Sequence, residues 1–194
     1  MRLLLNRMIA LMALIAAGPL LFVVMLLVYI DLGWPIFFVP QRAGLQGVPF
    51  RMLKFRTMNQ RRDVNGELLP DVDRITRLGN FLRKSSIDEI PELVNVVLGH
   101  MLLIGPRPLP VEYMSKYSDV QKRRLLVRPG VTGLAQIKGR NSLSWRHKFK
   151  YDVFYVEHPS MRLNIFILFK TVLVLFDHKI VNRDTKETMK KFEG

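Results

Sequence analysis

The stretch Ser85-Ser86-Ile87-Asp88-Glu89-Ile90-Pro91-Glu92 sets two adjacent carboxylates in a chain whose other charge is overwhelmingly basic. A carboxylate is an accepted covalent nucleophile toward phosphorus, giving an acyl phosphate that a second acceptor can break. Arg side chains and a divalent cation would neutralise charge on the phosphoryl oxygens, and Mg2+ suits an oxygen-ligand site with few protein ligands. Cations for that work stand at three places. Arg107 projects from a proline-locked bend that ends MLLIGPRPLP, residues 101–110. RPGVTGLAQIKGRN, residues 128–141, places three glycines beside Arg128, Lys138 and Arg140. Its amides could form an anion nest, and a turn-rich basic loop without a ligand would read the same way. Lys54 or Arg56, on an expected strand, could face the pocket. The structural alternative for the acidic pair is a helix start: Ser86 with Glu89 three residues on fits a capping box, and Pro91 falls in the tolerant first turns. The two readings can describe one site, because a first turn offers amides and a positive dipole end to anionic oxygens.

Composition narrows the chemistry. The chain has 194 residues, enough for one domain with its own core plus a membrane element. Thirty Lys and Arg against sixteen Asp and Glu give a formal charge of +14. That implies an anionic partner, whether nucleic acid, lipid headgroups or a phosphorylated substrate. There is no cysteine, which excludes a disulfide framework, a thiolate metal site and a cysteine nucleophile. His100, His147, His158 and His178 have no spacing that suggests a metal pair or a triad.

Several elements must position these groups. Residues 8–30 carry no charge over 23 positions, about the thickness of a bilayer core as a helix. Gly18-Pro19 at the midpoint predicts a kink or break. Basic residues lie on both sides of the run, so a segment that dips into the membrane and returns fits the preference of cations for the cytoplasmic face, as a spanning helix would for one end only. Residues 34–58 read as a β-hairpin around Gly44 and Gly47, its second strand alternating Phe50, Met52, Phe55 and Met58 with cations and slipping after Leu53. Residues 59–73 read as a polar loop, a possible lid. Ile87, Ile90, Leu93, Val94 and Val97 then recur at helical spacing, with Asp88, Glu92 and Asn95 on another face. Residues 111–127 look helical and basic. Residues 161–176 read as an amphipathic helix in the membrane interface, with a buried core helix as the alternative. The fold class expected is α+β, mostly helical: a re-entrant membrane helix over 1–31 broken at Gly18-Pro19, then a catalytic domain over 32–194 with a small β-hairpin and interfacial amphipathic helices around the active site.

KFRTM, RITRLGNFLRKSSIDEIPELVNVVLG, MLLIGPRPLP and RPGVTGLAQIKGRN, in that order and spacing, resemble the bacterial sugar transferases, the monotopic phosphoglycosyl transferases, and most closely their small, catalytic-domain-only members. The resemblance covers nearly the whole chain. It implies transfer of a phospho-sugar from a UDP-sugar to a polyprenol phosphate such as undecaprenyl phosphate, with Mg2+ as cofactor and UMP as the second product. It also implies a re-entrant N-terminal helix and a monotopic protein on the cytoplasmic face of a bacterial inner membrane, with lipids but no nucleic acid as partners. By the same resemblance Asp88 matches the nucleophile and Mg2+ ligand, and Glu89 its companion in the dyad. Lys54, Arg83, Arg107 with Pro108, Arg128 and Arg140 match cations associated with the phosphates, and Asp152 is a further, weaker match. Two places depart from the pattern. Gly18 stands where Ser commonly precedes the membrane proline, and Gly99-His100-Met101-Leu102 replaces the usual Gly-Asp-Met-Ser. Two rivals differ in class: a glycosyl transferase that releases UDP, and a non-catalytic basic protein that binds membranes.

Overall fold

The structure, a computed structural model, describes residues 2–139, 142–176 and 191–194. It is mostly helical with a few short strands and an apolar N-terminal helix, α1 (Arg2–Leu32). Among the described residues this is the one helix long and apolar enough to cross a membrane. The helix runs unbroken with Pro19 inside it. The break expected at Gly18-Pro19 is therefore not a helix end, and any change of direction there is a bend inside one helix, where Pro19 offers no N–H to the turn before it.

The expected hairpin is present but interrupted. β1 (Phe37–Phe38) pairs antiparallel with β4 (Lys54–Phe55), and β2 (Gln41–Ala43) with β3 (Pro49–Arg51). Where the alternation slips, a helix fills the gap. Asn95 accepts from the Leu53 amide at 2.9 Å and donates to the Arg51 carbonyl at 2.7 Å. Phe50, Met52 and Phe55 are all buried on either side of this slip, and Lys54 is turned toward the acidic residues. Residues 59–70 form an exposed excursion with a turn at Asn65-Gly66 and a lone bridge between Arg62 and Leu68. α2 (Asp71–Arg74) is a single turn, and α3 (Arg77–Ser85) begins at Thr76, whose side chain accepts from the Gly79 amide.

The capping box expected at Ser86 is not formed. Ser86 ends α3 in the left-handed region (φ 56°) and makes no side-chain cap. A 3-10 turn over Ile87–Glu89 follows, and α4 (Glu92–Leu98) starts beyond Pro91. The faces of this segment are also disposed in a way that periodicity alone does not show: its polar residues Asp88, Glu92 and Asn95 are buried, together with Val96. α4 packs Val96 with Ala10 of α1, Phe50, Met52 and Met101, each buried aliphatic side chain contributing about 1.5–3 kcal/mol.

A parallel pair, β5 (Leu102–Ile104) with β6 (Gly130–Thr132), was not expected from the sequence. Glycine is required at its crossing, since a Cβ on Gly130 would sit 2.0 Å from the Gly105 nitrogen. Between these strands the basic segment is a series of short helical pieces, Val111–Lys116, α5 (Asp119–Lys122) and Arg123–Leu126. α6 (Leu134–Gly139), α7 (Trp145–Glu157) and α8 (Met161–Phe176) complete the order. α8 anchors itself through fully buried Ile167 while Ile165, Phe169 and Val172 are exposed.

Candidate active site

The 3-10 turn, α4, β4 and the proline-locked bend converge on one acidic cluster. Glu89 is gripped from two sides: Lys54 Nζ donates to Oε1 at 2.7 Å, and both Arg107 terminal nitrogens reach its two oxygens as a fork, one of them at 3.3 Å. Such bidentate, charge-assisted pairs are the strong ones. Burial pushes the Glu89 carboxyl up, but the charges and hydrogen bonds of Arg107 and Lys54 outweigh it and hold it well below the usual carboxylate range. Arg107 is correspondingly held protonated by Glu89. Its side chain as a whole is 37% exposed.

Asp88 is the opposite case. It is 8% exposed, and no hydrogen bond or ion pair engages its carboxylate among the described residues. Burial, then the negative charge of Glu89, pushes it up to about 6 against the pull of Lys54, Arg83 and Arg107. The pair thus divides into a locked carboxylate and an unengaged one, with environments that set their proton affinities far apart.

Glu92 was not singled out as a site residue from the sequence, although it lies four residues after Asp88 on the same polar face. Its side chain is 1% exposed, and Lys54 Nζ lies 2.9 Å from its Oε1, so that one lysine faces two carboxylates. Burial and then the charge of Glu89 push Glu92 up to about 7. An acid whose folded value is raised contributes stability that is complete below its unfolded value, near 4.5, and lost as pH rises through about 7. Glu92→Gln should remove that loss, which is at most about 3 kcal/mol. Thermal melts from pH 4 to 8.5 check this: the wild type should fall away above pH 4.5 and the variant should fall away less, keeping only the decline due to Asp88 and melting several degrees higher than the wild type at pH 8. Parallel curves would mean that Glu92 is not buried as a charge.

The remaining expected site residues are distributed as follows. Arg83 Nε donates to Thr57 Oγ1 at 2.9 Å, and its charge acts on Asp88. Pro108 is buried directly after Arg107. Arg128 is directed elsewhere, donating to the Gly99 carbonyl at 2.9 Å at the end of α4. The glycines around it serve close backbone approach, and the Gly130 amide is taken by the Pro106 carbonyl at 3.0 Å. Arg140 lies outside the described residues. Asp152 is away from the acidic cluster, buried in an ion pair with Arg124 at 2.9 Å. Arg124, which nothing in the run Lys122-Arg123-Arg124 marked out, also donates to the Arg107 carbonyl. It lies against the Tyr117 and Phe149 rings at 5.9 and 5.8 Å. Asp152 therefore bears on the site through Arg124 and the backbone of the Arg107 bend. In the stretch Gly99–Leu102 that departs from the family pattern, His100 is exposed beside Phe50, and Leu102 lies in β5 opposite Gly130.

Among the described residues no three His, Asp or Glu side chains form a group able to hold a metal by themselves. Glu89 is committed to Arg107 and Lys54, and Glu92 faces Lys54. A divalent cation would find one unengaged carboxylate, Asp88, and would need substrate phosphates and water for its other ligands, which is how Mg2+ is commonly held. The donor set fits that ion.

A family model described as bacterial sugar transferase matches residues 1–178. The chain is 46% identical over 167 residues to the uncharacterized sugar transferase EpsL of Bacillus subtilis, covering 86% of this chain and 83% of that protein. It is 38% identical over 170 residues to the UDP-glucose:undecaprenyl-phosphate glucose-1-phosphate transferase of Caulobacter vibrioides, covering 80% of this chain and 62% of that one. With the undecaprenyl-phosphate galactose phosphotransferase of Salmonella typhimurium it shares 36% identity over 183 residues, 86% of this chain and 38% of the longer protein.

Proposed function

Because this chain belongs to the bacterial sugar transferase family, we propose that it moves a phospho-sugar from a UDP-sugar to polyprenol phosphate through a covalent intermediate on Asp88. The observation that carries the covalent step is the unengaged, buried Asp88 carboxylate beside a Glu89 that is fully paired. In the first step an Asp88 oxygen attacks the β-phosphorus of the UDP-sugar, and the bond from that phosphorus to the bridging oxygen breaks. UMP leaves with the bridging oxygen, and the phospho-sugar remains on Asp88 as an acyl phosphate. In the second step a phosphate oxygen of the polyprenol phosphate attacks the same phosphorus, and the bond to Asp88 breaks. Polyprenyl-diphospho-sugar departs and the carboxylate is restored. Arg107, with Pro108 fixing its bend, stabilises charge on the phosphoryl oxygens, and Lys54 and Arg83 add positive potential. When bound, Mg2+ would supply charge neutralisation and orientation of the phosphates at Asp88.

A nucleotide assay tests the reading. Enzyme and UDP-sugar without acceptor should release UMP in a burst equal to the enzyme present, and a chelator should suppress it until Mg2+ is returned. A glycosyl transferase would release UDP instead, and a non-catalytic basic protein would release neither.

The membrane reading has its own support. Near the start of α1, Arg7 donates to the Leu98 carbonyl, Asn6 accepts from the Leu103 amide at 2.9 Å and Ala10 is fully buried. Near its end, Val24 and Val28 are buried and Asp31 accepts from the Thr76 hydroxyl at 2.6 Å. Between Ala10 and Val24 no residue is buried, and Met12, Ile15 and Phe22 are exposed. One domain holding both ends of an apolar helix favours a segment that enters and returns, since a spanning helix would carry its ends to opposite faces of a core roughly 30 Å thick. The exposed apolar face of α8 suits the interface beside it. The native chain has no cysteine, so single cysteines at Leu4 and Trp34 report topology directly. Both should resist a membrane-impermeant maleimide in intact cells and react together after the membrane is opened. Labelling of one alone from outside would establish a spanning helix.

A further inference from the structure

A slot of about 190 Å³ lies between α4, β6, α6 and α8 and has no role in the chemistry above. Ser86 and Glu89 are among its lining residues, so it borders the acidic cluster. Its walls are Ile90 and Leu93 on one side and Ile137 and Val174 on the other. The hydroxyls of Thr132 and Thr171 also line it; Thr171 donates to the Ile167 carbonyl at 2.7 Å and accepts from Thr132 at 2.7 Å. Gln136 Nε2 donates to the Val131 carbonyl at 2.8 Å, which leaves Gln136 Oε1 as a buried acceptor with no donor among the described residues. One unmet acceptor in an apolar slot is a poor match for a sugar, whose several hydroxyls would each need a partner once out of water. It is a good match for a hydrocarbon chain.

The outer surroundings point the same way. Thr171 and Val174 belong to α8, next to Val172 and Leu173, which are exposed. Leu93 packs against the buried cluster that contains Ala10 of α1, the other element with an exposed apolar face. The slot therefore runs from α8, with its exposed apolar face, to the edge of the acidic cluster. We infer that it seats the first isoprene units of the polyprenol phosphate, the chain entering between α4 and α8 so that its phosphate meets Asp88 on the side of Arg107. This rests on the two-step reading above for the identity of the acceptor, and adds where its lipid chain binds.

Val174→Trp and Ile137→Trp fill the slot from different helices. In both, the acceptor-free UMP burst should keep its wild-type rate, while the KM for polyprenol phosphate rises about tenfold or more. A burst slowed as much as the overall reaction would assign the slot to the UDP-sugar and overturn the inference. So would an unchanged acceptor KM in both variants, provided each melts as the wild type does. A second readout is independent of turnover: a polyprenyl phosphate carrying a diazirine on its second isoprene unit should label peptides of α4, α6 or α8 in the wild type and lose that labelling in Val174→Trp. Labelling confined to other elements would overturn the inference. If the wild type shows no burst, the covalent reading fails, and the photolabel still decides where the chain lies.

Discussion

Asp88→Asn should release no UMP burst and carry no turnover, a loss of at least about 10⁴-fold. The amide keeps the size and shape of the carboxylate but cannot attack phosphorus or bind a cation with charge. The loss cannot be put down to unfolding, because the sign of the stability change is opposite. Asp88 is raised to about 6 by burial and by Glu89. The contribution of Asp88 to stability is therefore complete below its unfolded value, near 3.8, and is lost as pH rises through about 6. A neutral residue at this position should melt higher than the wild type at pH 8. Inactivity together with increased stability is the signature of a functional group held against the interest of the fold. Measurable turnover at a hundredth of the wild-type rate would instead favour direct attack by the acceptor, with Asp88 in a supporting role.

Arg107→Ala should lower the rate of the UMP burst by about 10²–10³-fold with little change in the KM for UDP-sugar, the pattern of a cation whose interaction strengthens as charge develops. Two effects add. The guanidinium proposed to act on the phosphoryl oxygens is lost, and Glu89 is left with Lys54 alone to offset its burial. Arg107→Lys should recover little, since a single ammonium cannot reproduce the fork on both Glu89 oxygens. The bend itself should persist in both variants, because Arg124 holds the Arg107 carbonyl from a buried pair with Asp152. Stopped-flow UMP release against UDP-sugar concentration separates the two parameters. A change in KM alone would make Arg107 a ground-state anchor.

Much of the frame could be read from residue types and spacing. A charge-free run of helix length, apolar alternation around Gly44 and Gly47, and an acidic segment with helical period all correspond to elements of the structure. Lys54, Glu89 and Arg107, far apart in sequence, do meet. What could not be read depends on three-dimensional partners. Ser86 and Glu89 have the spacing of a capping box, but a left-handed Ser86 ends α3 and Glu89 bonds to two cations from other elements, a competition no local pattern reveals. The slip after Leu53 looked like a defect in alternation, whereas Asn95 occupies it with two hydrogen bonds. β5 and β6 are three residues each, too short for any period to register. The glycines of residues 128–141 suggested an anion nest. In the structure Gly130 allows two backbones to touch, and Arg128 reaches the end of α4. Glu92 was visible as a polar residue on the Asp88 face. Only the position of Lys54 between it and Glu89 gives it a place in the cluster.

The central claim is a covalent bond between Asp88 and the phospho-sugar, and the most direct measurement is the mass of the protein quenched with acid milliseconds after mixing with UDP-sugar and Mg2+ in the absence of acceptor. A mass increase equal to one phospho-sugar is expected, located by peptide sequencing on Asp88 and discharged when polyprenol phosphate is added before the quench. Product formed at the normal rate by an enzyme that never carries this mass, or a label on Glu89 or Glu92 in place of Asp88, would contradict it.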